Sequence, residues 1–223
     1  MSMIIISQGK DLTPWVEALK RRRPELDLQV YPDVRNSEEV AFALAWHHPV
    51  GVFKEFPNLK CIASMGAGVD HILKDPDLPE GAVVTRVVDA NLTRDMTAFT
   101  LSLVMNHLRG LSSYKAAEQS STWQKKPYLR IEDVTIGVMG VGVLGTSVAR
   151  QLHALGFRVK GWARSAKEIA GVKVYTGEEE LHTFLSVSDV LICLLPLTKE
   201  TENILNKDTL AQLPHKAFVI NVA

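Results

Sequence analysis

Val134-Thr-Ile-Gly-Val-Met-Gly140-Val141-Gly142-Val143-Leu144-Gly145-Thr-Ser-Val-Ala-Arg150 runs an apolar strand into the spacing G-x-G-x-x-G and out into a helix. That is the context a dinucleotide-binding turn requires. Gly140 serves the tight turn, Gly142 lets backbone approach a pyrophosphate, and Gly145 lets the helix pack closely on the strand. The free N–H groups of the helix start then point at the phosphates. The helix is expected over Val143–Leu155, and Phe157–Trp162 reads as a second strand that completes a βαβ opening. Strand, turn and helix in sequence separate this reading from a glycine-rich turn that only packs.

The second strand leads into Trp162-Ala163-Arg164-Ser165, about 20 residues beyond the glycines, where an NAD site carries Asp or Glu on the ribose hydroxyls. Alanine stands there instead. A carboxylate would repel a 2′-phosphate of charge about −1.5 to −2 by roughly 4 kcal/mol per charge pair at contact in a surface-like dielectric. Its absence removes that barrier, while Arg164 offers a planar fork, Ser165 a hydroxyl and Lys167 a further charge. NADP(H) is therefore favoured, with NAD(H) also admitted. The alternative is that Arg164 and Lys167 are solvated loop charges and the ribose preference is slack.

A chain of 223 residues, 46% hydrophobic and 22% charged, has room for one large or two ordinary packed domains. Its 25 Lys and Arg balance 25 Asp and Glu, so no net field recruits nucleic acid or an anionic membrane. Cys61 and Cys193 lie in apolar strand-like runs and read as buried reduced thiols; their spacing fits neither a metal site nor a disulfide framework. Met1-Ser-Met-Ile-Ile-Ile-Ser7 has no basic region and reads as a first strand, not a signal peptide, and no run approaches membrane-spanning length. A cytoplasmic protein is expected.

Toward the N-terminus, short apolar runs alternate with helical patterns: Met3–Ser7, a helix opened by Thr13-Pro14, then Leu26–Tyr31, Ala41–Trp46, Lys60–Met65 and Val83–Arg86. That order implies a parallel sheet covered by helices. Thr13 is expected as N-cap with Pro14 at the first helical position. After Asn91 comes one long helical stretch, Thr93 to about Ser120, with Met96, Phe99, Leu103, Leu108 and Leu111 at roughly helical spacing. Its spare apolar surface suits either a contact with a second copy of the chain or packing against its own domain. A polar stretch, Gln119–Arg130, precedes the glycine strand, and two more buried strands follow, around Asp189–Leu195 and Ala217–Ala223.

Taken together, Ser64-Met-Gly66-Ala67-Gly68-Val69-Asp70, the long helix, the glycine turn, Trp162-Ala-Arg164-Ser165, Asp189-Val-Leu-Ile-Cys-Leu194-Leu195-Pro196-Leu-Thr198 and Phe218-Val-Ile-Asn-Val222-Ala223 resemble the D-isomer-specific 2-hydroxyacid dehydrogenase family. Ala45-Trp46-His47 followed by Pro49 resembles its glyoxylate- and hydroxypyruvate-reducing branch. The resemblance covers the whole chain in one order. It implies an α/β fold of two parallel-sheet domains: a flavodoxin-like substrate domain over residues 1–92, and a Rossmann NAD(P)-binding domain over 93–223 inserted into it, with the crossing near Asn91–Arg94. The implied activity is NADPH-dependent reduction of small 2-oxoacids such as glyoxylate and hydroxypyruvate, in a homodimer joined through the long helix.

By the same resemblance, the backbone of Ala67, Gly68 and Val69 holds the substrate carboxylate, with Trp46 and His47 near the substrate. Leu194, Leu195, Pro196 and Thr201 form the loop over the dinucleotide, beside Trp162, and Val222 and Ala223 lie at the nicotinamide. A loop joining a strand to a helix start exposes amides that favour an anion; the plainer reading is a tight turn with Asp70 as helix cap. Trp46 at a strand end could equally be core.

The family's chemistry uses an Arg, a proton-donating His and an acidic partner of that His. In the resemblance the Arg directly follows Asn-Val-Ala, with which this sequence ends, and the other two come later. The expectations are that no catalytic side chain lies within residues 1–223, that the nucleotide domain is incomplete at its C-terminus, and that these residues alone reduce substrate very poorly. The nucleotide sheet is expected to stop at its fourth strand, Ala217–Ala223, with an unpaired edge. None of the seven histidines takes the proton donor's place, and His47, His48 and His71 read as surface loop residues. A longer protein is favoured over a truncated product or a rearranged remnant. The competing class is a dinucleotide-binding sensor, or an inactive truncated relative. A different Rossmann enzyme is disfavoured, because no Tyr is followed four residues later by Lys as short-chain dehydrogenases require, and there is no G-x-x-x-x-G-K-[ST] phosphate loop.

Overall fold

The computed structural model describes residues 1–123 and 125–223; Gln124, within the polar stretch, lies outside them. The chain divides into two compact units, Met1–Val88 and Asp89–Ala223.

The first unit contains β1 (Ser2–Ser7), α1 (Thr13–Arg22), β2 (Leu28–Val30), β3 (Val40–Trp46), β4 (Cys61–Ser64), α2 (Asp70–Leu73) and β5 (Val83–Thr85). Its sheet runs β2-β1-β3-β4-β5, with every pairing parallel. Ile4, Ile5 and Ile6 of β1 are fully buried although successive side chains face opposite ways. Both faces of this central strand are therefore covered, which is why it reads as an unbroken apolar run. Phe53, Phe56, Ile62 and Ile72 close one face, each side chain contributing about 1.5–3 kcal/mol by leaving water. Thr13 is not the cap of α1: Leu12 occupies the cap position, and the Asp11 carboxylate accepts the Thr13 N–H at 2.9 Å. The Trp15 and Val16 N–H groups donate to the Leu12 carbonyl, which leaves the Thr13 hydroxyl no capping role. Cys61 is only half-buried, because β4 pairs there with the exposed edge strand β5; both thiols are free.

The second unit contains α3 (Ala90–Arg109), α4 (Leu111–Gln119), β6 (Thr135–Met139), α5 (Val143–Ala154), β7 (Arg158–Ala163), β8 (Lys173–Thr176), α6 (Leu181–Ser186), β9 (Val190–Cys193), α7 (Lys207–Leu210) and β10 (Phe218–Asn221). Its parallel sheet runs β10-β9-β6-β7-β8. The chain starts in the middle at β6, winds outward through β7 and β8, and returns to the other side through β9. The winding reverses between β6 and β9, and a crevice beyond the strand ends at such a reversal is where open α/β sheets bind ligands.

Two expectations change here, the single long helix and the four-strand sheet. The long helix is two: Gly110, at φ 61°, ends α3, and its N–H donates to the Asn106 and His107 carbonyls. The left-handed conformation favours glycine and turns the chain before α4 begins. The face of α3 that is buried is Thr97, Thr100, Val104 and Leu108, whereas Phe99 and Leu111 stay exposed. The sheet has five strands, because Lys173–Thr176 forms the edge strand β8, so β10 is its fifth. The first unit ends at Val88, ahead of the Asn91–Arg94 crossing expected from sequence, and Asp89 caps α3 by accepting the Leu92 N–H at 2.7 Å.

Candidate functional site

In the second unit, β6 ends at Met139 and the chain turns at Gly140, whose φ is +95° and whose N–H donates to the Trp162 carbonyl at 2.9 Å. A β-carbon on Gly140 would sit 2.9 Å from the Leu194 carbonyl carbon, so the segment after β9 closes directly over the turn. Gly142 occupies the cap position of α5, and a β-carbon there would meet nothing within 4 Å. The first helical bond runs from the Thr146 N–H to the Gly142 carbonyl at 2.9 Å. The N–H groups of Val143, Leu144 and Gly145 have no acceptor among the described residues. Three amide donors without acceptors at the positive end of a 12-residue helix favour an anion there. Val141 is buried, and its carbonyl accepts from the Thr146 hydroxyl at 3.1 Å and from Lys167 Nζ at 3.0 Å. Lys167, which sequence offered to a phosphate, is instead fastened to the glycine loop.

Arg164 follows the last residue of β7 and is exposed. It lines a cavity of about 570 Å³ together with Trp162, Leu195, Pro196, Thr201 and Glu200. Ser165 is exposed beside it and does not line the cavity. Trp162 is buried and donates from Nε1 to the Gly177 carbonyl at 2.8 Å, which fixes the cavity floor. Glu200 is a site residue that sequence missed. Its carboxyl is held below the usual range by the Thr198 hydroxyl and its own backbone N–H, with the Arg164 and Lys199 charges adding. No local pattern marks it; only the folded loop brings it near Arg164.

The loop after β9 is shaped by Leu194, whose N–H donates to the Met139 carbonyl at 2.8 Å. The Thr201 hydroxyl then accepts the Thr198 N–H at 2.9 Å and donates to the Pro196 carbonyl. A second cavity, about 280 Å³, is lined by Leu195, Pro196, Thr201, Cys193 and Ala223. Val222 donates its N–H to the Cys193 carbonyl at 3.2 Å and packs on the core instead of lining the cavity. Burial pushes the Cys193 thiol up, against the opposing Leu195 N–H.

In the first unit, the segment after β4 folds around Ser64, whose hydroxyl donates to the Gly68 carbonyl at 2.6 Å and accepts the Gly66 N–H at 3.1 Å. Ala67 and Gly68 are exposed, and the N–H groups of Ala67, Gly68 and Val69 have no acceptor among the described residues. Asp70 does not cap α2: Val69 holds the cap position, and Asp70 is the first helical residue. Trp46 lies against this segment so closely that a β-carbon on Gly66 would fall 2.4 Å from its ring. Its neighbours are His47 at 5.0 Å and His71 at 4.7 Å between ring centroids. His47 is exposed, in the left-handed region at φ 44°.

His48 contradicts its reading as a surface residue. Its ring is buried, packed on Phe53, and its Nε2 lies 2.9 Å from Asp75 Oδ2. Asp75 is buried too and accepts N–H bonds from Gly51 and Asp77. Burial alone would raise the Asp75 carboxyl; the Asp77 and Gly51 amides and His48 outweigh it and hold it below the usual carboxylate range. Burial lowers His71, against the Ala45 carbonyl and Asp70, which favour its charged form. Among the described residues no group of three His, Cys, Asp or Glu side chains is arranged to hold a metal ion.

Residues 101–223 match the family description "D-isomer specific 2-hydroxyacid dehydrogenase, NAD binding domain". Along its whole length the chain is 36% identical to glyoxylate/hydroxypyruvate reductase A of Klebsiella pneumoniae (strain 342), covering 72% of that protein. A D-isomer specific 2-hydroxyacid dehydrogenase from Xanthobacter autotrophicus Py2, solved with NADPH and MES, superposes with a TM-score of 0.92 at 36% identity, over 100% of this chain and 72% of that one. An NADPH-dependent glyoxylate/hydroxypyruvate reductase from Sinorhizobium meliloti, solved with NADP and sulfate, superposes with a TM-score of 0.88 at 35% identity, over 99% of this chain and 72% of that one.

Proposed function

The chain belongs to the D-isomer-specific 2-hydroxyacid dehydrogenase family, and from that premise we propose that it takes part in NADPH-dependent reduction of small 2-oxoacids such as glyoxylate and hydroxypyruvate. The observation that carries this reading is the pairing of a free helix start at Gly142 with Arg164 and no carboxylate at the end of β7. The residues fit the cofactor: an open cradle at Gly142, three donors without acceptors, and a cavity lined by a guanidinium. Gly140, Val141, Gly142, Val143, Leu144 and Gly145 hold the pyrophosphate, and Arg164 with Ser165 recognises the 2′-phosphate. Leu194, Leu195, Pro196 and Thr201 cover the dinucleotide beside Trp162, and Val222 and Ala223 border the nicotinamide end. When bound, the reduced nicotinamide supplies a hydride to a carbonyl carbon.

In the first unit, the amides of Ala67, Gly68 and Val69 hold the substrate carboxylate, while Trp46 and His47 shape the space around its carbonyl. Orientation is this chain's contribution to the rate. The same reading assigns residues 1–92 to a substrate domain and 93–223 to the nucleotide domain. It also assigns the exposed Phe99 and Leu111 to contact with a second copy, and the two free thiols suit a reducing, cytoplasmic setting. The test is to mix the intact-length protein with NADPH and glyoxylate and follow nicotinamide absorbance. A substrate-dependent decline supports the reductase; nucleotide binding without any decline favours a dinucleotide sensor instead.

A further inference from the structure

The first unit has its own winding reversal. The chain leaves β1, and β2 and β3 lie on opposite sides of it, so the loops after β1 and β3 flank the place where such sheets bind ligands. The two loops meet where the Gln8 N–H donates to the His47 carbonyl at 3.3 Å. Lys10 stands on the first loop with its ammonium 5.1 Å from the centre of the Trp46 ring and 5.7 Å from that of Trp15. Two indole faces attract a cation and hold it in place. Lys10 forms no ion pair among the described residues, and its neighbour Asp11 is engaged by the Thr13 N–H. The Trp46 ring also presses against Gly66, at the start of the segment whose amides are free. One indole thus borders both an unpaired, positioned ammonium and the segment of free amides.

We propose that Lys10 is a specificity-determining residue that receives a second carboxylate, so that this site takes four-carbon dicarboxylic 2-oxoacids and their 2-hydroxy products. The inference rests on the functional reading above, in which the Ala67–Val69 amides hold the first carboxylate. A monocarboxylic acid would fill those amides and leave Lys10 idle; an acid with a distal carboxylate engages both ends. A compact lysine ammonium suits a single carboxylate oxygen at the rim of a crevice.

The experiment titrates the protein, with NADP⁺ present, with D-malate and with D-2-hydroxybutyrate, which lacks the distal carboxylate. Binding is followed by tryptophan fluorescence and calorimetry in the unmodified protein, Lys10→Met and Lys10→Arg. The methionine keeps the apolar stem on the indoles without the charge. The expected result is that Lys10→Met weakens D-malate about tenfold, leaves D-2-hydroxybutyrate within twofold, and that Lys10→Arg keeps most of the malate affinity. Equal weakening of both acids would mean that Lys10 only props Trp46, and an unchanged malate affinity would mean that it touches no substrate; either overturns the proposal while leaving the functional reading standing. If neither acid binds the unmodified protein, the carboxylate loop itself fails and the inference falls with it.

Discussion

Gly145 lies so near Gly140 that a β-carbon on Gly145 would come 2.0 Å from the Gly140 carbonyl oxygen. The clash is with backbone, which cannot swing aside, so α5 must retreat from β6 to relieve it. Gly142, two positions after Gly140, faces open space. The two glycines therefore serve different ends, one packing and one ligand approach.

Gly145→Ala is expected to destabilise the second unit by about 1–3 kcal/mol, the range for overpacking a tight interface. Gly142→Ala is expected to leave the melting temperature nearly unchanged and to weaken NADPH about tenfold, because its methyl enters the space reserved for phosphate. Thermal denaturation and calorimetric titration of both variants separate the two effects.

In the proposed function Arg164→Ala removes a charge-assisted partner of the 2′-phosphate, an interaction of about 1.5–3 kcal/mol. NADPH affinity should fall by roughly ten- to a hundredfold, and NADH affinity should hold or improve slightly. Equal losses for both coenzymes would place Arg164 away from the ribose.

A methyl group at Gly66 would strike the Trp46 ring. Gly66→Ala should therefore swing the indole away from the carboxylate segment, change the tryptophan emission, and weaken 2-hydroxyacid binding about tenfold. An unaltered emission spectrum with normal binding would remove Trp46 from the substrate site.

Acid should destabilise the first unit in two stages. His71 has a lowered affinity for protons in the folded state, first through burial, so the unfolded chain binds more protons just below about pH 6.5 and stability drops as the pH falls through that range. Asp75 is likewise lowered; its contribution is complete above the unfolded carboxylate range, about pH 4, and is lost as the pH falls through its folded value. Asp75→Asn should abolish the lower stage and, by weakening the buried hydrogen bonds to Gly51, Asp77 and His48, destabilise the unit by about 1–3 kcal/mol. Melting curves from pH 8 to 3 read both stages.

The buried strands were legible because both their faces are covered: Ile4–Ile6 and Ile136–Met139 read as apolar runs wherever a window is placed. Edge strand β8 was not, since Lys173, Val174, Tyr175 and Thr176 alternate over too few residues to stand out from a loop. Gly110 was overlooked inside a helical pattern because the apolar spacing runs across it, and only its left-handed φ shows the break. The glycine turn and Arg164 were readable as local motifs with known spacing. Glu200, the buried His48–Asp75 pair and Lys10 on Trp46 depend on loops meeting beyond the strand ends, with His48 and Asp75 separated by 27 positions in the sequence, and no periodicity encodes such meetings.

In the proposed function the amides from Gly140 to Gly145 grip a pyrophosphate while Arg164 selects the phosphorylated coenzyme. Calorimetric titration of the folded protein with NADPH and, in parallel, NADH tests it most directly. Saturable heat with NADPH and binding at least about tenfold weaker with NADH is the expected result; no heat with either coenzyme, or a preference for NADH, would overturn this reading.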